Sequence, residues 1–104
     1  MNELLITEEI LINAGFEYME QESKLYEEYQ KTTYDITDYK LYRKWTDDEH
    51  PIKLDINNGW NNRGTTWSLH IDNCDCETIG YADIDTIAQF NMLMEVFDSN
   101  LRLS

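Results

Sequence analysis

The chain has 104 residues, and its 21 acidic against eight basic side chains give a formal net charge of −13 at pH 7. With so few Lys and Arg residues, the composition argues against direct binding to nucleic acid and favours a positively charged partner. The 41% apolar and 12% aromatic content is too high for a disordered chain. The length fits one domain, residues 1–104, so we expect a single acidic folded domain.

The charge is concentrated toward the two ends of the chain. Residues 1–30 hold eight acids against Lys24, for a net charge of −7. Residues 31–70 are neutral, with six acids and six bases. Residues 71–104 hold seven acids against Arg102, for a net charge of −6. Two acidic ends therefore flank a neutral, aromatic middle.

Several features predict a cytoplasmic protein with no membrane partner. No apolar run approaches the length of a membrane span. Glu3 stands where a secretory signal would carry Lys or Arg. Cys74 and Cys76 are only two residues apart, which is too close for ordinary disulfide geometry. We therefore expect free thiols and a reducing compartment.

The first third of the chain predicts one short helix followed by two strands. Thr7 is suited to cap the helix, and Gly15 is suited to end it. Alternating apolar and polar residues predict a strand over residues 16–20. A turn is expected around residues 22–24, and a weaker strand over residues 25–30.

The middle of the chain predicts further strands, mostly with one apolar face. Alternation is clear over residues 39–45, 52–56 and 67–71, and a shorter run covers residues 78–81. An Asn- and Gly-rich stretch over residues 57–64 predicts a polar hairpin loop. Neighbouring strands joined by such turns favour antiparallel pairing.

The end of the chain predicts the longest helix, over residues 86–98, with Asp85 as its N-cap. An apolar stripe at helical spacing is expected to pack on the sheet; it consists of Ile87, Phe90, Leu93, Met94 and Phe97. The element order predicts an α+β fold. It comprises a short N-terminal helix, about five mainly antiparallel strands, and a C-terminal helix packed on one face.

A possible set of metal ligands lies at alternate positions in the second half of the chain. His70, Asp72, Cys74 and Cys76 would line one face if a single strand ran through all of them. They support the alternative function of a small metal-dependent enzyme or hydrolase. The usual zinc pattern needs a second ligand pair, which the sequence lacks, and no catalytic motif is present. We therefore favour a protein without metal, cofactor or catalytic residues.

Two sets of residues are candidates for protein binding. Trp60 lies in the Asn- and Gly-rich loop with Arg63 close by, and both residue types are common at interface hot spots. The alternative for Trp60 is that its indole folds back over the sheet edge. A carboxylate stripe offered to a basic protein is formed by Glu17, Glu20, Glu22, Glu27 and Glu28. The alternative for these glutamates is that they only keep the protein soluble.

About half of the chain resembles small, functionally uncharacterised proteins of phages and mobile elements from Bacteroides-type gut bacteria. The resemblance rests on ITEEIL at 6–11, GF at 15–16, HIDN at 70–73, IG at 79–80 and DIDTIAQFNMLME at 83–95. It implies an accessory protein of a mobile genome that works by binding, and it transfers no functional residue. Our expectation is a non-enzymatic interaction protein with a protein partner. The charge favours a basic partner, and homodimerisation is left open.

Overall fold

The computed structural model describes residues 4–34, 38–58 and 65–104. The elements in chain order are α1 (Glu8–Asn13), β1 (Glu17–Tyr18), α2 (Glu20–Tyr34), β2 (Leu41–Trp45), β3 (Lys53–Asn57), β4 (Trp67–Asp72), β5 (Thr78–Ile84) and α3 (Ile87–Val96). The strands form one antiparallel sheet in the order β1-β2-β3-β4-β5. The predicted α+β fold, with its short N-terminal helix, five strands and C-terminal helix, is confirmed.

One face of the sheet is covered by α1 and α3, and we call it the covered face. Alternate strand residues such as Leu54, Ile56 and Leu69 are completely buried there. They share one apolar cluster with Phe90 and Met94 of α3, which are equally buried. The expected packing of the C-terminal helix stripe on the apolar strand faces is therefore present.

The N-cap of α3 is Thr86, so the prediction of Asp85 was wrong by one residue. The Thr86 hydroxyl accepts a hydrogen bond from the Gln89 backbone N–H, and the Gln89 side chain accepts one from the Thr86 N–H. This reciprocal pair requires Gln three residues after the cap, which only Thr86 satisfies. The Asp85 carboxylate instead accepts a hydrogen bond from the Thr66 hydroxyl at 2.7 Å.

The largest departure from the predicted elements is α2. The predicted turn at 22–24 and strand at 25–30 are both helical, and the strand predicted over 16–20 is reduced to Glu17–Tyr18. The helix buries the polar residues Ser23 and Gln30, whereas Leu25 is exposed. Because the buried side of α2 is polar, the apolar spacing that predicts an amphipathic helix is missing.

Polar contacts hold α2 against β2. The Ser23 hydroxyl accepts a hydrogen bond from the Leu41 N–H at 2.9 Å, and a Glu27 carboxylate oxygen accepts one from the Tyr39 N–H at 3.2 Å. The Met19 N–H donates to the Leu41 carbonyl at 2.9 Å. Since β1 pairs only with Tyr42 and Arg43, these contacts satisfy edge groups of β2 that would otherwise lack partners.

Within the described ranges of the chain, every helix falls short of the length and apolar character that crossing a bilayer requires.

Candidate binding groove

The second face of the sheet is polar, and α2 packs against its β2 side. Strand register places Arg43, Asp55, His70 and Tyr81 in one row across β2 to β5. The space between this face and α2 is a groove of about 640 Å³. Tyr26 and Gln30 of α2 form one wall. Further rows of the sheet contribute Leu41 and Asn57 on one side and Lys53, Asp72 and Thr78 on the other.

Arg43 is the centre of an ion-pair network along this groove. Its Nε donates to Asp55 Oδ1 at 2.6 Å, and its two terminal nitrogens donate to the two Glu22 carboxylate oxygens at 2.9 Å each. Hydrogen bonds and charge from Asp55 and Glu22 outweigh the desolvation of the guanidinium and raise the pKa of Arg43 further. The network joins α2 to β2 and β3 through charge-assisted hydrogen bonds.

A second ion pair lies one row further along the strands. Lys53 Nζ is 3.2 Å from Asp72 Oδ2, and the Thr78 hydroxyl donates to Asp72 Oδ1 at 3.0 Å. Both charged side chains are mostly buried, at 19% and 15% exposure. The two cations that line the groove, Arg43 and Lys53, are therefore already occupied by carboxylates.

Aromatic side chains supply the remaining walls. The His70 and Tyr81 rings meet edge to face with centroids 4.7 Å apart, and the Tyr81 hydroxyl donates to Asp83 Oδ1 at 2.9 Å. The Tyr26 and Tyr39 rings are 5.7 Å apart. Burial, then the charges of Tyr26 and Asp55, raise the pKa of Tyr39 far above its usual value. Tyr39 is therefore a neutral phenol in ordinary buffers.

Asn57 is the unusual residue of the groove. Its side chain is on the groove side of β3, and the residue is only 4% exposed. Its Oδ1 is buried and has no hydrogen-bond partner among the described residues. A buried acceptor without a donor costs about 1–3 kcal/mol, so native proteins rarely leave one without a reason.

The predicted interaction residues fall into two groups, one outside the described residues and one on and next to α2. Trp60 and Arg63 lie outside the described residues, so their role stays a prediction. Glu20 pairs with Lys24 at 3.1 Å along the exposed side of α2. Glu17 and Glu28 are exposed and make no ion pair within the described part of the chain.

Two of the predicted stripe residues point toward the sheet instead of offering their charge to solvent. Glu22 binds Arg43, and Glu27 binds the backbone of Tyr39. Both glutamates therefore hold α2 in place, a role that the stripe hypothesis missed because it treated the segment as a strand and a turn.

The residues of the metal alternative are only partly brought together. His70 and Asp72 both face the groove, and Asp72 is engaged by Lys53. Cys74 and Cys76 are exposed free thiols in the following turn. There the Asn73 side chain accepts hydrogen bonds from the backbone N–H groups of residues 75 and 77, which turns the chain away from the strand. Over the ranges 4–34, 38–58 and 65–104, no three His, Cys, Asp or Glu side chains are placed to hold a metal ion.

The sequence prediction missed the groove because it missed α2, the helix that forms one wall. The polar side of β3 and β4 was nevertheless visible in the alternation that places Asp55 and His70 opposite the apolar residues. In β2 the pattern was ambiguous, because Arg43 shares its side of the strand with Tyr39 and Leu41. Asn57 was assigned to the loop, whereas it is the last residue of β3 and pairs with Leu41 and Ser68.

No protein family, curated protein or solved structure matches this chain. The case for a function therefore depends on the residues of the chain and their geometry.

Proposed function

We propose that this chain is a non-enzymatic interaction protein of a phage or mobile element, that it works in the cytoplasm, and that it binds a basic protein. The observation that carries the proposal is a surplus of exposed carboxylates that make no ion pair with any residue the structure describes. The resemblance in the two end segments of the sequence supports the mobile-element context.

Part of this surplus lies at one end of the sheet, where two turns are neighbours. Residues 46–52 join β2 to β3, and residues 73–77 join β4 to β5 at the same end of the sheet. These turns carry four exposed acids, which we call the acidic end: Asp47, Glu49, Asp75 and Glu77. None of them makes an ion pair with another described residue. Because the four carboxylates lie at the same end of the sheet, their negative electrostatic potentials add there and attract a basic surface.

The acidic end adjoins the groove. Lys53, Asp72 and Thr78, which form the last row of the groove, are the residues next to the two turns. A basic partner guided by the acidic end therefore arrives beside a concave surface lined by tyrosines. Tyrosine is among the residues that contribute most at protein interfaces.

The test begins with affinity capture from the native host using the tagged chain, followed by measurement of association with the purified partner. We expect a basic protein whose association rate falls as salt rises around 0.1 M, where exposed charges more than about 10 Å apart are screened. The variant Glu49→Gln, Asp75→Asn, Glu77→Gln should lower the rate at low salt. A control with the same change of charge consists of Glu9→Gln, Glu95→Gln and Asp98→Asn, all at exposed positions elsewhere.

The proposal would be contradicted if the captured partner were acidic. It would also be contradicted if a basic partner bound with an affinity that changes neither with salt nor with the acidic-end variant. An equal effect of the two charge variants would retain the basic partner but remove the acidic end as its docking position.

Trp60 and Arg63 are proposed as local anchors for the same partner. An anchor acts after encounter, so Trp60→Ala should raise the dissociation rate and leave the association rate nearly unchanged. Stopped-flow measurements separate this effect from the steering effect of the carboxylates. An unchanged dissociation rate would favour the alternative in which the indole packs on the protein itself.

A further inference from the structure

We infer that the groove receives an arginine side chain from a segment of the basic partner. The inference rests on the proposed function, because it names the part of that partner which is bound and the atoms that bind it. Three independent features of the groove support it: its charge, its unpartnered acceptor and its aromatic walls.

The charge around the groove is negative. The two cations, Arg43 and Lys53, are already engaged by carboxylates. The acids that line or border the groove outnumber them; these acids are Glu22, Glu27, Asp55 and Asp72. An incoming anion would have to compete with bound carboxylates for both cations, whereas an incoming cation enters a field of favourable sign. The same negative charges of Asp55 and Glu22 contribute to the raised pKa of Tyr39.

The unpartnered acceptor requires a donor. Asn57 Oδ1 is buried in the groove and has no partner among the described residues. A guanidinium carries five N–H donors in a rigid plane, so it can satisfy this oxygen while other donors reach carboxylates. Lysine presents a compact, strongly hydrated charge and would lose more hydration on entering.

Two tyrosines border the entry to the groove. Tyr81 is 52% exposed and Tyr26 is 42% exposed, although both rings line the groove. The Tyr81 ring is held in place by His70 and by the hydrogen bond from its hydroxyl to Asp83. A guanidinium stacks favourably on such a fixed ring, and the interaction strengthens as water is excluded. The ring is therefore arranged in advance for a planar cation.

The inference can be tested with the full chain and two small peptides. The probe is acetyl-Gly-Arg-Gly-amide, and its control replaces arginine with citrulline, which has nearly the same shape but no charge. Titration is followed by the backbone amide signals of the protein. We expect saturable shifts centred on Asn57, His70 and Tyr81 with the arginine peptide, and binding at least about tenfold weaker with the citrulline peptide.

Matched variants locate the site. Asp72→Asn removes a carboxylate from the groove and releases Lys53. We therefore expect it to lower the affinity for the arginine peptide at least several-fold. Glu95→Gln removes the same charge from the exposed side of α3, across the sheet from the groove, and should change affinity by less than about twofold. Because Asp72→Asn also breaks an internal ion pair, Tyr81→Ala is a second groove variant that removes an exposed ring. Tyr29→Ala on the outer side of α2 is its control.

The outcomes separate this inference from the proposed function. Equal binding of the two peptides, shifts spread over the acidic end, or groove variants that bind normally would each overturn the groove as an arginine site. If the arginine peptide fails while the captured partner still binds with salt-dependent kinetics, the groove inference fails and the proposed function stands. If binding of the partner depends neither on salt nor on the charge variants, the proposed function fails. The peptide titration still tests whether the groove binds arginine.

Discussion

The two faces of the sheet are built from the same strands but carry opposite chemistry. The covered face joins α1 and α3 in a continuous apolar cluster in which Phe90 and Met94 are completely buried. The groove face carries ion pairs, tyrosines and an amide oxygen with no hydrogen-bond partner in the described part of the chain, beneath a helix attached through polar atoms. Alternation along each strand produces both faces at once, since neighbouring side chains point in opposite directions.

The difference shows where stability and recognition are located in this molecule. Burial of apolar area on the covered face is the main favourable contribution to folding. Two features of the groove face lower the free energy of unfolding: a buried acceptor with no donor among the described residues, and charges removed from water. Both are unfavourable unless a ligand or a well-placed partner group compensates them.

The largest expected effect is on the covered face. Phe90→Ala removes a completely buried ring at the contact between α3 and the sheet, and such a change costs about 3–5 kcal/mol of the free energy of unfolding. Urea denaturation measures the loss. Met92→Ala on the same helix is the control, because Met92 is 67% exposed and should change stability by less than about 0.5 kcal/mol. Similar losses for the two variants would show that α3 does not pack as described.

A second variant tests the polar attachment of α2. Ser23→Ala leaves the buried Leu41 N–H without its acceptor, which should cost about 1–3 kcal/mol. Thr32→Ala is the control, since the Thr32 hydroxyl is exposed and bonds only within α2. Chemical denaturation compares the two. If Ser23→Ala is as stable as Thr32→Ala, then α2 is held by something other than the hydrogen bond to β2.

The sequence predicted the covered face well and the groove face poorly, and the reason is physical. Apolar spacing in α3 and in β3 and β4 reflects burial directly, so these elements follow from the pattern. Burial in α2 instead involves Ser23 and Gln30, while Leu25 and Tyr29 face solvent. The position of α2 against the sheet depends on hydrogen bonds to backbone atoms that are far away in sequence. No local sequence pattern indicates such bonds.

Individual groove residues were partly predictable. Asp55 and His70 lie at alternate positions opposite the apolar residues, so their common face follows from the strand period. Arg43 shares its side of β2 with Leu41, so the pattern of that strand did not mark a polar face. That these residues form one row across the sheet depends on the pairing register of β2 to β5. The lengths of the turns alone did not predict this register. The importance of Asn57 could not be predicted, because it arises from burial by neighbouring strands and not from its own sequence context.

The open acceptor in the groove gives a smaller effect of opposite sign. Asn57→Leu replaces the buried amide with an apolar side chain of similar size. It should raise the free energy of unfolding by about 1 kcal/mol, because a buried group without a donor is removed. The same variant should lose affinity for the arginine peptide. Thermal unfolding and the peptide titration measure the two effects. A less stable variant would mean that the Asn57 amide makes a stabilising contact in the native protein.

The smallest effect concerns a polar contact between the β2–β3 turn and the C-terminal end of α3. The Ser99 hydroxyl donates to Asp48 Oδ2 at 2.6 Å, and the Asn100 N–H donates to Asp48 Oδ1 at 2.9 Å. These bonds, that of Ser99 first, hold the pKa of Asp48 below its usual value. Because the folded protein favours the ionised form, the contact stabilises fully above the unfolded pKa of about 3.9 and is lost as pH falls through the lower folded value. Asp48→Asn should therefore make stability fall less steeply on acidification between about pH 5 and pH 2.

Asp47→Asn is the neighbouring control, since the Asp47 carboxylate accepts no hydrogen bond from the described residues. Urea denaturation across this pH range measures both variants, and equal slopes for Asp48→Asn and Asp47→Asn would show that the contact contributes nothing to the acid sensitivity of the fold.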